Sequence, residues 1–510
     1  MLPSHLELSY LICNIIAGFG VLIIFFLSIL EAITKKNILP SIRIMLQAFY
    51  CAGLVEMIYA TLQVIGIIPS LNLYFSLTGS FCNPVYLSMF FSLCIPVGLF
   101  FTLYSSGIAR LGWAGTSFVM LLFLFATGSR TGLIALACSI AIISIENKLL
   151  RKLLLRRRIV IGAALIIFIL GFLLYYYKPD SVKGRFLIWD ITLNMISDKP
   201  LFGWGRNGFE ANYMLYQAQY FFKNPTSDYL MLADNTNNPY NEFLFFTVEY
   251  GIIATILLIL LIVYIFYNIV RNMNKYKSVF LSLFTTTLIW SLFSYPLKAP
   301  FVWIVLTYIV ICAFHNQLTF KLARYISLFL LLCCINVFVF FTYINYAKLK
   351  WLFIQESSLA GRTKKMIPQY KVLINKLGKN GDFLYNYGAE LNYIGNYEES
   401  NQILAKCSRI SNDYFVQMLI ADNYRHMGLQ DKAINSCKIA GWMIPSRFLP
   451  LYYEMQIYDE MGNIYLAYQT AEQIVNKTVK VKDSRTVQCF IDSARCYIQK
   501  HKCTIDENEP

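Results

Sequence analysis

The chain has 510 residues, of which 57% are hydrophobic and only 14% are charged, and its formal net charge is +15. Soluble proteins carry roughly 25% charged residues, so this composition excludes an ordinary soluble enzyme. A nucleic-acid-binding protein would gather its positive charge on a soluble face, but most of the charge here lies in short loops between apolar runs. That pattern is typical of a membrane protein, and we expect membrane lipid, and no nucleic acid, as a partner.

Several apolar runs are candidates for membrane-spanning helices, each of which needs about 20 residues. The ten candidates cover residues 8–30, 44–67, 84–106, 111–128, 131–146, 159–177, 241–269, 278–296, 300–315 and 325–346. The fourth and fifth runs are short and flank Gly128-Ser129-Arg130, which suits a tight hairpin. The first run lacks a basic leader and a small-residue cleavage site, so it is predicted to be a retained helix and not a signal peptide.

The basic residues predict the orientation of these helices. Lys and Arg are concentrated in alternate loops, above all in residues 148–158, and by the positive-inside rule these loops are cytoplasmic. Ten helices then place both termini, loop 68–83, the long loop 178–240 and the C-terminal region on the other side, which in a bacterial inner membrane is the periplasm. A topology with one helix more or fewer would place the C-terminal region in the cytoplasm.

The C-terminal region, residues 348–510, has the composition of a soluble domain and contains an internal repeat. Three sets of residues recur at spacings of 33 and 34: Leu391, Tyr424 and Tyr458; Gly395, Gly428 and Gly462; and Ser400, Ala433 and Ala467. A large residue, a turn glycine and a small residue at this period are typical of tetratricopeptide repeats; the alternative is a helical bundle without repeats. Such solenoids bind proteins, so this domain suggests a protein partner or acceptor.

The predicted fold class is therefore all-α. A polytopic membrane helical bundle covers residues 1–347 and includes the extracytoplasmic loop 178–240, and an α-solenoid of tetratricopeptide-like repeats covers residues 348–510.

Loop 178–240 is the one extended polar stretch of the membrane region. Loops of this length are usually functional or disordered, and its many aromatic residues favour a folded one. Gly203, Gly205 and Gly208 match the glycine spacing of a dinucleotide-binding loop. That fingerprint requires a preceding strand and a βαβ unit, whereas a helix-like segment precedes these glycines. A tight turn is therefore the favoured interpretation.

A few charged residues are candidates for chemistry. Arg130 and Arg185 both fall at the predicted outer membrane face, where guanidinium groups can clamp a diphosphate or simply anchor helices at the interface. Glu56 lies within the second apolar run with Gln63 seven residues later, and a carboxylate at membrane depth is either functional or a structural hydrogen-bond partner. No histidine lies between Ser9 and Phe314, so the long loop has no histidine base and no zinc ligand of that type.

Four stretches, taken together and in this order, carry a resemblance to a known family. They are Gly79-Ser80-Phe81-Cys82-Asn83-Pro84; Gly128-Ser129-Arg130-Thr131; the run Arg185…Trp189…Pro200-x-x-Gly203-x-Gly205; and Asn238-Pro239-Tyr240-Asn241-Glu242-x-x-Leu244…Glu249-x-Gly251. Over about residues 50–300 the chain resembles the O-antigen ligase superfamily, which includes O-antigen polymerases and bacterial protein O-oligosaccharyltransferases.

The resemblance implies a glycosyl transfer at the periplasmic face. In this family a glycan on undecaprenyl diphosphate is the donor, an acceptor hydroxyl attacks the anomeric carbon, and the lipid diphosphate leaves. The two diphosphate-facing arginines of the family map onto Arg130 and Arg185, and no metal or other cofactor is expected. Positioned cations would stabilise the charge that the leaving diphosphate gains.

The chain departs from the family at the end of the long loop, where family members commonly have H-x-H-N. The two histidine positions are Asn238 and Tyr240 here. Tyr240 can donate a hydrogen bond to a phosphate oxygen, but tyrosine, with a pKa of about 10, is a poor base at neutral pH. Glu242 or Glu249 is the substitute base that we consider. Arg206, Asn83, Asn238, Asn241 and Glu249 complete the candidate substrate-binding set.

Two alternatives to a glycosyltransferase remain open at this level. One is a non-catalytic membrane scaffold that has lost the histidine and binds partners through its repeats. The other is a transporter, which predicts broken helices or paired charges at mid-membrane; Glu56 is the one residue that hints at this.

Overall fold

The structure is a computed structural model that describes scattered positions between residues 22 and 34, and residues 41–147 (apart from 71, 73 and 82), 179–273, 275–314, 323–481 and 483–506. All regular elements in these ranges are helices, and none is a strand. The all-α fold class is thus confirmed for the described part of the chain.

Within the described residues, ten helices precede the C-terminal helix pairs. They are α1 (Ile42–Val64), α2 (Pro84–Tyr104), α3 (Gly107–Ala126), α4 (Arg130–Glu146), α5 (Pro179–Asp198), α6 (Gly208–Lys223), α7 (Glu242–Asn272), α8 (Lys277–Phe293), α9 (Pro300–Phe314) and α10 (Ala323–Ser357), with a 3-10 turn at Pro296–Lys298. The first candidate span lies mostly, and the sixth wholly, outside the described residues.

Five helical segments in the described residues are long and apolar enough to cross a membrane. They are Ile42–Val64, Pro84–Tyr104, Gly107–Ala126, Glu242–Asn272 and the run Ile335–Leu377, and two shorter apolar helices are Lys277–Phe293 and Pro300–Phe314. The chain is therefore a multi-pass membrane protein, while the count of ten spans stays a prediction.

The chain folds as two compact units. The first comprises residues Met1–Tyr177, Tyr240–Phe243 and Thr255–Tyr346, and the second Lys178–Pro239, Leu244–Ala254 and Ala347–Pro510. In the first unit α2 is buried on nearly every face and packs against α1, α3, α4 and α8. A helix that is apolar all round can be surrounded by other helices without leaving polar side chains buried. Ser92 on α2 accepts a hydrogen bond from the buried Trp290 indole, at 2.9 Å.

The C-terminal helices form successive antiparallel pairs. After a π-helical turn at Ser358–Arg362 come α11 (Thr363–Leu377), α12 (Gly381–Tyr393), α13 (Tyr397–Ser408), α14 (Tyr414–His426), α15 (Gln430–Met443), α16 (Leu449–Glu460), α17 (Ile464–Asn476) and α18 (Arg485–Asp506). Gly395, Gly428 and Gly462 link the helices of three pairs, each with a positive φ of 86°, 72° and 71° respectively. Helices often end at such a glycine because a Cβ disfavours this conformation. The helix pairs follow the sequence period; their assignment as tetratricopeptide repeats stays a prediction.

The polar loop folds onto these helix pairs. Helices α5 and α6 share one hydrophobic core with α14, α15 and α16. The buried Gln217 side chain of α6 donates a hydrogen bond to the Met443 carbonyl at 2.6 Å, and the Asn412 N–H donates to the Glu210 carbonyl at 3.1 Å. In packing, residues 178–239 therefore belong with the C-terminal helices. The functional division at residue 347 stays a prediction.

The reason for this packing lies in the large aromatic residues of α6. Phe209, Tyr213 and Phe221 are fully buried, and burying an aromatic side chain stabilises the fold by about 2–3 kcal/mol. Two amphipathic helices without a further layer could not cover these rings, and α14–α16 supply the missing surface.

Glu454 on α16 makes the stability of the second unit depend on pH. Burial raises the pKa of its carboxyl from 4.5 to about 7, although the nearby Lys438 and Lys477 lower it. The neutral form is thus favoured in the folded state, so stability is fully present below pH 4.5 and is lost as the pH rises through about 7.

Glu454→Gln should therefore stabilise the protein by roughly 1–3 kcal/mol at pH 8, with an advantage that shrinks as the pH is lowered to 5. Thermal unfolding of the purified full chain in detergent at the two pH values measures this difference. Glu472→Gln, at an exposed position of α17, is the matched control. Equal effects of the two substitutions at both pH values would contradict the prediction.

Candidate functional site

The backbone of α7 is broken at Gly251, where φ is 81° and ψ is 175°. The break turns the preceding carbonyl groups towards the turn between α5 and α6. The Val248 carbonyl accepts the Trp204 N–H at 2.8 Å, and the Glu249 carbonyl accepts the Gly205 N–H at 2.9 Å. In return the Ile252 N–H donates to the Pro200 carbonyl at 2.8 Å. We call this interlock of residues 200–205 with residues 248–252 the clasp.

The clasp requires glycine at two positions. A Cβ atom on Gly251 would lie 2.0 Å from the Leu201 carbonyl oxygen, and one on Gly203 would lie 2.5 Å from the Val248 carbonyl oxygen. Both residues also have positive φ, of 81° and 68°, which other residues rarely adopt. The stretches around Gly203 and Gly251 are two separate parts of the family resemblance, and in the structure they are in direct contact.

The three glycines 203, 205 and 208 form a tight turn, as the sequence analysis favoured. Helix α5 precedes the turn and α6 follows it, so the strand that a dinucleotide-binding loop requires does not precede it. The dinucleotide interpretation is thereby excluded.

Glu249 stabilises the start of α6. Its side chain is 5% exposed, and its Oε1 accepts the N–H of Asn207 at 2.7 Å. Asn207 itself is the N-cap of α6, with a φ of 63°. A carboxylate at a helix N-terminus satisfies a donor that lacks a partner within the helix. Arg206 is exposed and interacts electrostatically with Glu249; the substrate-binding roles of both residues stay predictions.

Arg185 lies on α5 one turn before Trp189. The Trp189 indole N–H donates to the Pro239 carbonyl at 2.8 Å, which ties α5 to the end of the loop. Residues four apart share one face of a helix, so half-buried Arg185 lies on the same face of α5 as Trp189. Both residues belong to the second unit.

Tyr240 belongs to the first unit and forms part of an aromatic group there. Its ring centroid lies 5.7 Å from that of Tyr295, and the Tyr295 ring contacts Tyr86 edge-on at 6.0 Å. The Asn83 amide approaches the Tyr295 hydroxyl at 3.5 Å. The structure thus brings together two predicted residues, Asn83 and Tyr240, through Tyr295, which the sequence analysis did not identify.

Backbone hydrogen bonds hold the predicted polar side chains around this group. Asn83 caps α2 by accepting the Val85 N–H at 2.9 Å, and Asn241 accepts the Phe243 N–H at 2.9 Å at the start of α7. Glu242 accepts the Leu297 N–H at 3.0 Å, which attaches α7 to the 3-10 turn. These bonds fix the orientation of the three side chains.

The backbone of Tyr240 is in the left-handed region, with a φ of 53°. This conformation is unfavourable for a bulky residue, whereas histidine, asparagine and aspartate adopt it more readily. The family's histidine would therefore fit this position conformationally. Backbone strain of this kind clusters at functional sites, where the surrounding structure maintains it.

Arg130 is the first residue of α4. It follows a turn in which Gly128 has a φ of 64° and the Ser129 side chain accepts the Gly132 N–H at 3.3 Å. The side chain is half-buried. Arg130 belongs to the first unit and Arg185 to the second, and their joint diphosphate clamp stays a prediction.

Glu56 and Gln63 both hold the turn at residues 78–80. The Glu56 carboxylate accepts the Ser80 N–H at 3.0 Å and a short hydrogen bond from the Ser80 hydroxyl. The buried Gln63 side chain accepts the Thr78 and Gly79 N–H groups at 3.1 and 2.8 Å. Of the two roles left open for Glu56, the contacts support the structural one: it fixes the segment that leads to Asn83.

Within the described residues, no group of three or more His, Cys, Asp or Glu side chains is placed to hold a metal ion. The polar groups near Tyr295 in the first unit are amides, phenols and a carboxylate, which form hydrogen bonds with hydroxyl groups.

A comparison with protein families supports the resemblance noted in the sequence. A family model described as O-antigen ligase matches residues 115–259, a segment that begins in α3 and ends in α7. This segment contains Arg130, Arg185, the clasp and the Tyr240–Glu242 motif. The match covers less than a third of the chain; it supports the resemblance to that superfamily and, in general, a membrane glycosyltransferase-like function. No curated protein and no solved structure was found to match the chain.

Gly251→Ala should disrupt the clasp, because its Cβ would overlap the Leu201 carbonyl and a strained backbone costs of order 1–3 kcal/mol. We expect faster hydrogen–deuterium exchange at the amides of residues 204 and 205, measured by mass spectrometry on the purified chain. Gly184→Ala is the control, since nothing lies within 4 Å of its Cβ position. Unchanged exchange in the Gly251 variant would show that the clasp does not depend on this glycine.

Proposed function

We propose that the protein is an inner-membrane glycosyltransferase that moves a glycan from undecaprenyl diphosphate to an acceptor hydroxyl at the periplasmic face. The observation that carries the proposal is that the segment matched to the O-antigen ligase family contains both arginines, the clasp and the Tyr240–Glu242 motif.

The chemistry of this transfer fits the polar groups of the chain. The acceptor oxygen forms a bond to the anomeric carbon, and the bond from that carbon to the phosphate oxygen breaks. The diphosphate leaves with the electron pair, and the guanidinium forks of Arg130 and Arg185 would stabilise its growing charge. Tyr240 would donate a hydrogen bond to a phosphate oxygen, and Glu242, two residues away, would accept the proton of the acceptor hydroxyl.

The acceptor distinguishes a ligase, a polymerase and a protein O-glycosylating enzyme. The shared core of α5 and α6 with α14–α16 favours an acceptor or partner that the helix pairs hold close to the loop. A protein bound on these repeats is consistent with this arrangement.

A non-catalytic membrane scaffold is the second candidate. One observation that favours it is that the polar loop shares a core with the C-terminal helix pairs, as expected of one continuous binding surface. The other is that Tyr240 occupies a position where the family commonly has histidine.

Glycan transfer in a host supplied with the cognate lipid-linked donor tests the proposal. Arg130→Ala and Arg185→Ala should each lower transfer roughly 100-fold at matched membrane levels, because each removes a cation from the leaving group. Tyr240→Phe should lower it roughly tenfold or more through the loss of a charged hydrogen bond. Tyr240→His should retain transfer, since histidine tolerates the positive φ.

Two exposed basic residues supply the controls. Lys183→Ala on α5 and Arg110→Ala on α3 change the same charge without touching the proposed site, and they should transfer glycan like the wild type. Absence of transfer by the wild type to any lipid, polysaccharide or protein acceptor would favour the scaffold. Equal losses in control and test variants would contradict the diphosphate clamp.

A further inference from the structure

Two large apolar side chains protrude from the clasp. Leu201 is 56% exposed and Phe202 is 78% exposed, although the clasp holds their backbone rigidly at both ends. Exposed apolar surface is unfavourable by about 25 cal/mol per Å², and a fixed backbone does not let these side chains turn inwards. Their exposure on a rigid turn therefore indicates that something covers them.

The chain itself indicates what lies beside this turn. Beyond the Gly251 break, residues 252–270 contain no charged residue. As a helix this run is about 28 Å long, close to the hydrocarbon thickness of a bilayer, about 30 Å. The break thus marks where the long uncharged apolar run of α7 begins, and Ile252 is its first residue.

The clasp brings the turn to the same level as that first residue. The Ile252 N–H binds the Pro200 carbonyl at 2.8 Å, and Leu201 and Phe202 follow Pro200 directly. Ile252 and Ile253 are themselves 41% and 46% exposed. Four large, exposed apolar side chains thus lie within two residues of the hydrogen bond that joins the turn to the start of this run.

The residues that flank the turn are those found at a membrane–water interface. The Lys199 ammonium lies 3.9 Å from the centroid of the Trp204 ring, and the Trp204 indole N–H donates to the Met195 carbonyl at 2.9 Å. Tryptophan is enriched at the headgroup level, and lysine extends its ammonium towards the headgroups while its stem stays in apolar surroundings.

We propose that residues 199–204 form a membrane anchor, in which Leu201 and Phe202 enter the lipid beside the start of the apolar part of α7. The ligand of this surface is the lipid bilayer. The anchor does not depend on the glycosyltransferase proposal. Its consequence rests on that proposal: the anchor holds the loop that carries Arg185 and Arg206 at the depth of a lipid-borne diphosphate.

Photo-cross-linking in native membranes tests the anchor without requiring transfer activity. The photo-reactive p-benzoylphenylalanine is placed instead of Phe202, and phospholipid adducts are detected by mass spectrometry after purification. Leu257, within the apolar run of α7 and 63% exposed, is the lipid-facing reference. Tyr393 on α12, which is 76% exposed, is the reference outside the membrane region.

We expect position 202 to form phospholipid adducts at a yield close to that of position 257 and at least fivefold above that of position 393. A yield at position 202 equal to that of position 393 would overturn the anchor. So would adducts at position 202 with a second copy of the chain or with another protein. Either result would leave the transfer assay, and hence the proposed function, unaffected.

Discussion

The break in α7 at Gly251 is the constraint on which the arrangement of the polar loop depends. A helix that ends exposes carbonyl groups without partners, and near a membrane these groups must find donors within the protein. The turn after α5 supplies the Trp204 and Gly205 N–H groups. Because of this one glycine, the carbonyl groups before the break accept hydrogen bonds from the turn between α5 and α6.

The candidate residues between positions 240 and 249 are held by contacts in two different units. In the first unit the Tyr240 ring packs against the Tyr295 ring, and Glu242 accepts a hydrogen bond from the 3-10 turn. A few residues later, Glu249 belongs to the second unit and caps α6. The short segment from Pro239 to Gly251 thus contributes residues to both units.

The sequence alone was sufficient for features that depend on local patterns. The apolar runs indicated a multi-pass helical protein, the period of Gly395, Gly428 and Gly462 located three inter-helix turns, and the missing strand before Gly203 argued for a tight turn. Each of these follows from the period or the conformational preference of a few neighbouring residues.

Features that depend on contacts between distant residues could not be predicted in this way. Nothing local to Gly203 or Gly251 shows that they approach each other, and nothing near Tyr295 shows that it contacts Tyr240. The burial of Phe209 and Tyr213 against α14–α16 likewise depends on a surface some 200 residues away. Glu56 looked equally suited to function or structure until its contacts with Ser80 were known.

The most direct test of a lipid diphosphate as the ligand measures its binding to the purified protein. Native mass spectrometry detects the bound lipid after the protein is released from detergent. A polyprenyl diphosphate and the matching polyprenyl monophosphate would be offered at equal concentration. The proposed clamp of Arg130 and Arg185 predicts that the protein retains the diphosphate in preference to the monophosphate. Retention of neither lipid, or equal retention of both, would contradict a site built to hold a diphosphate leaving group.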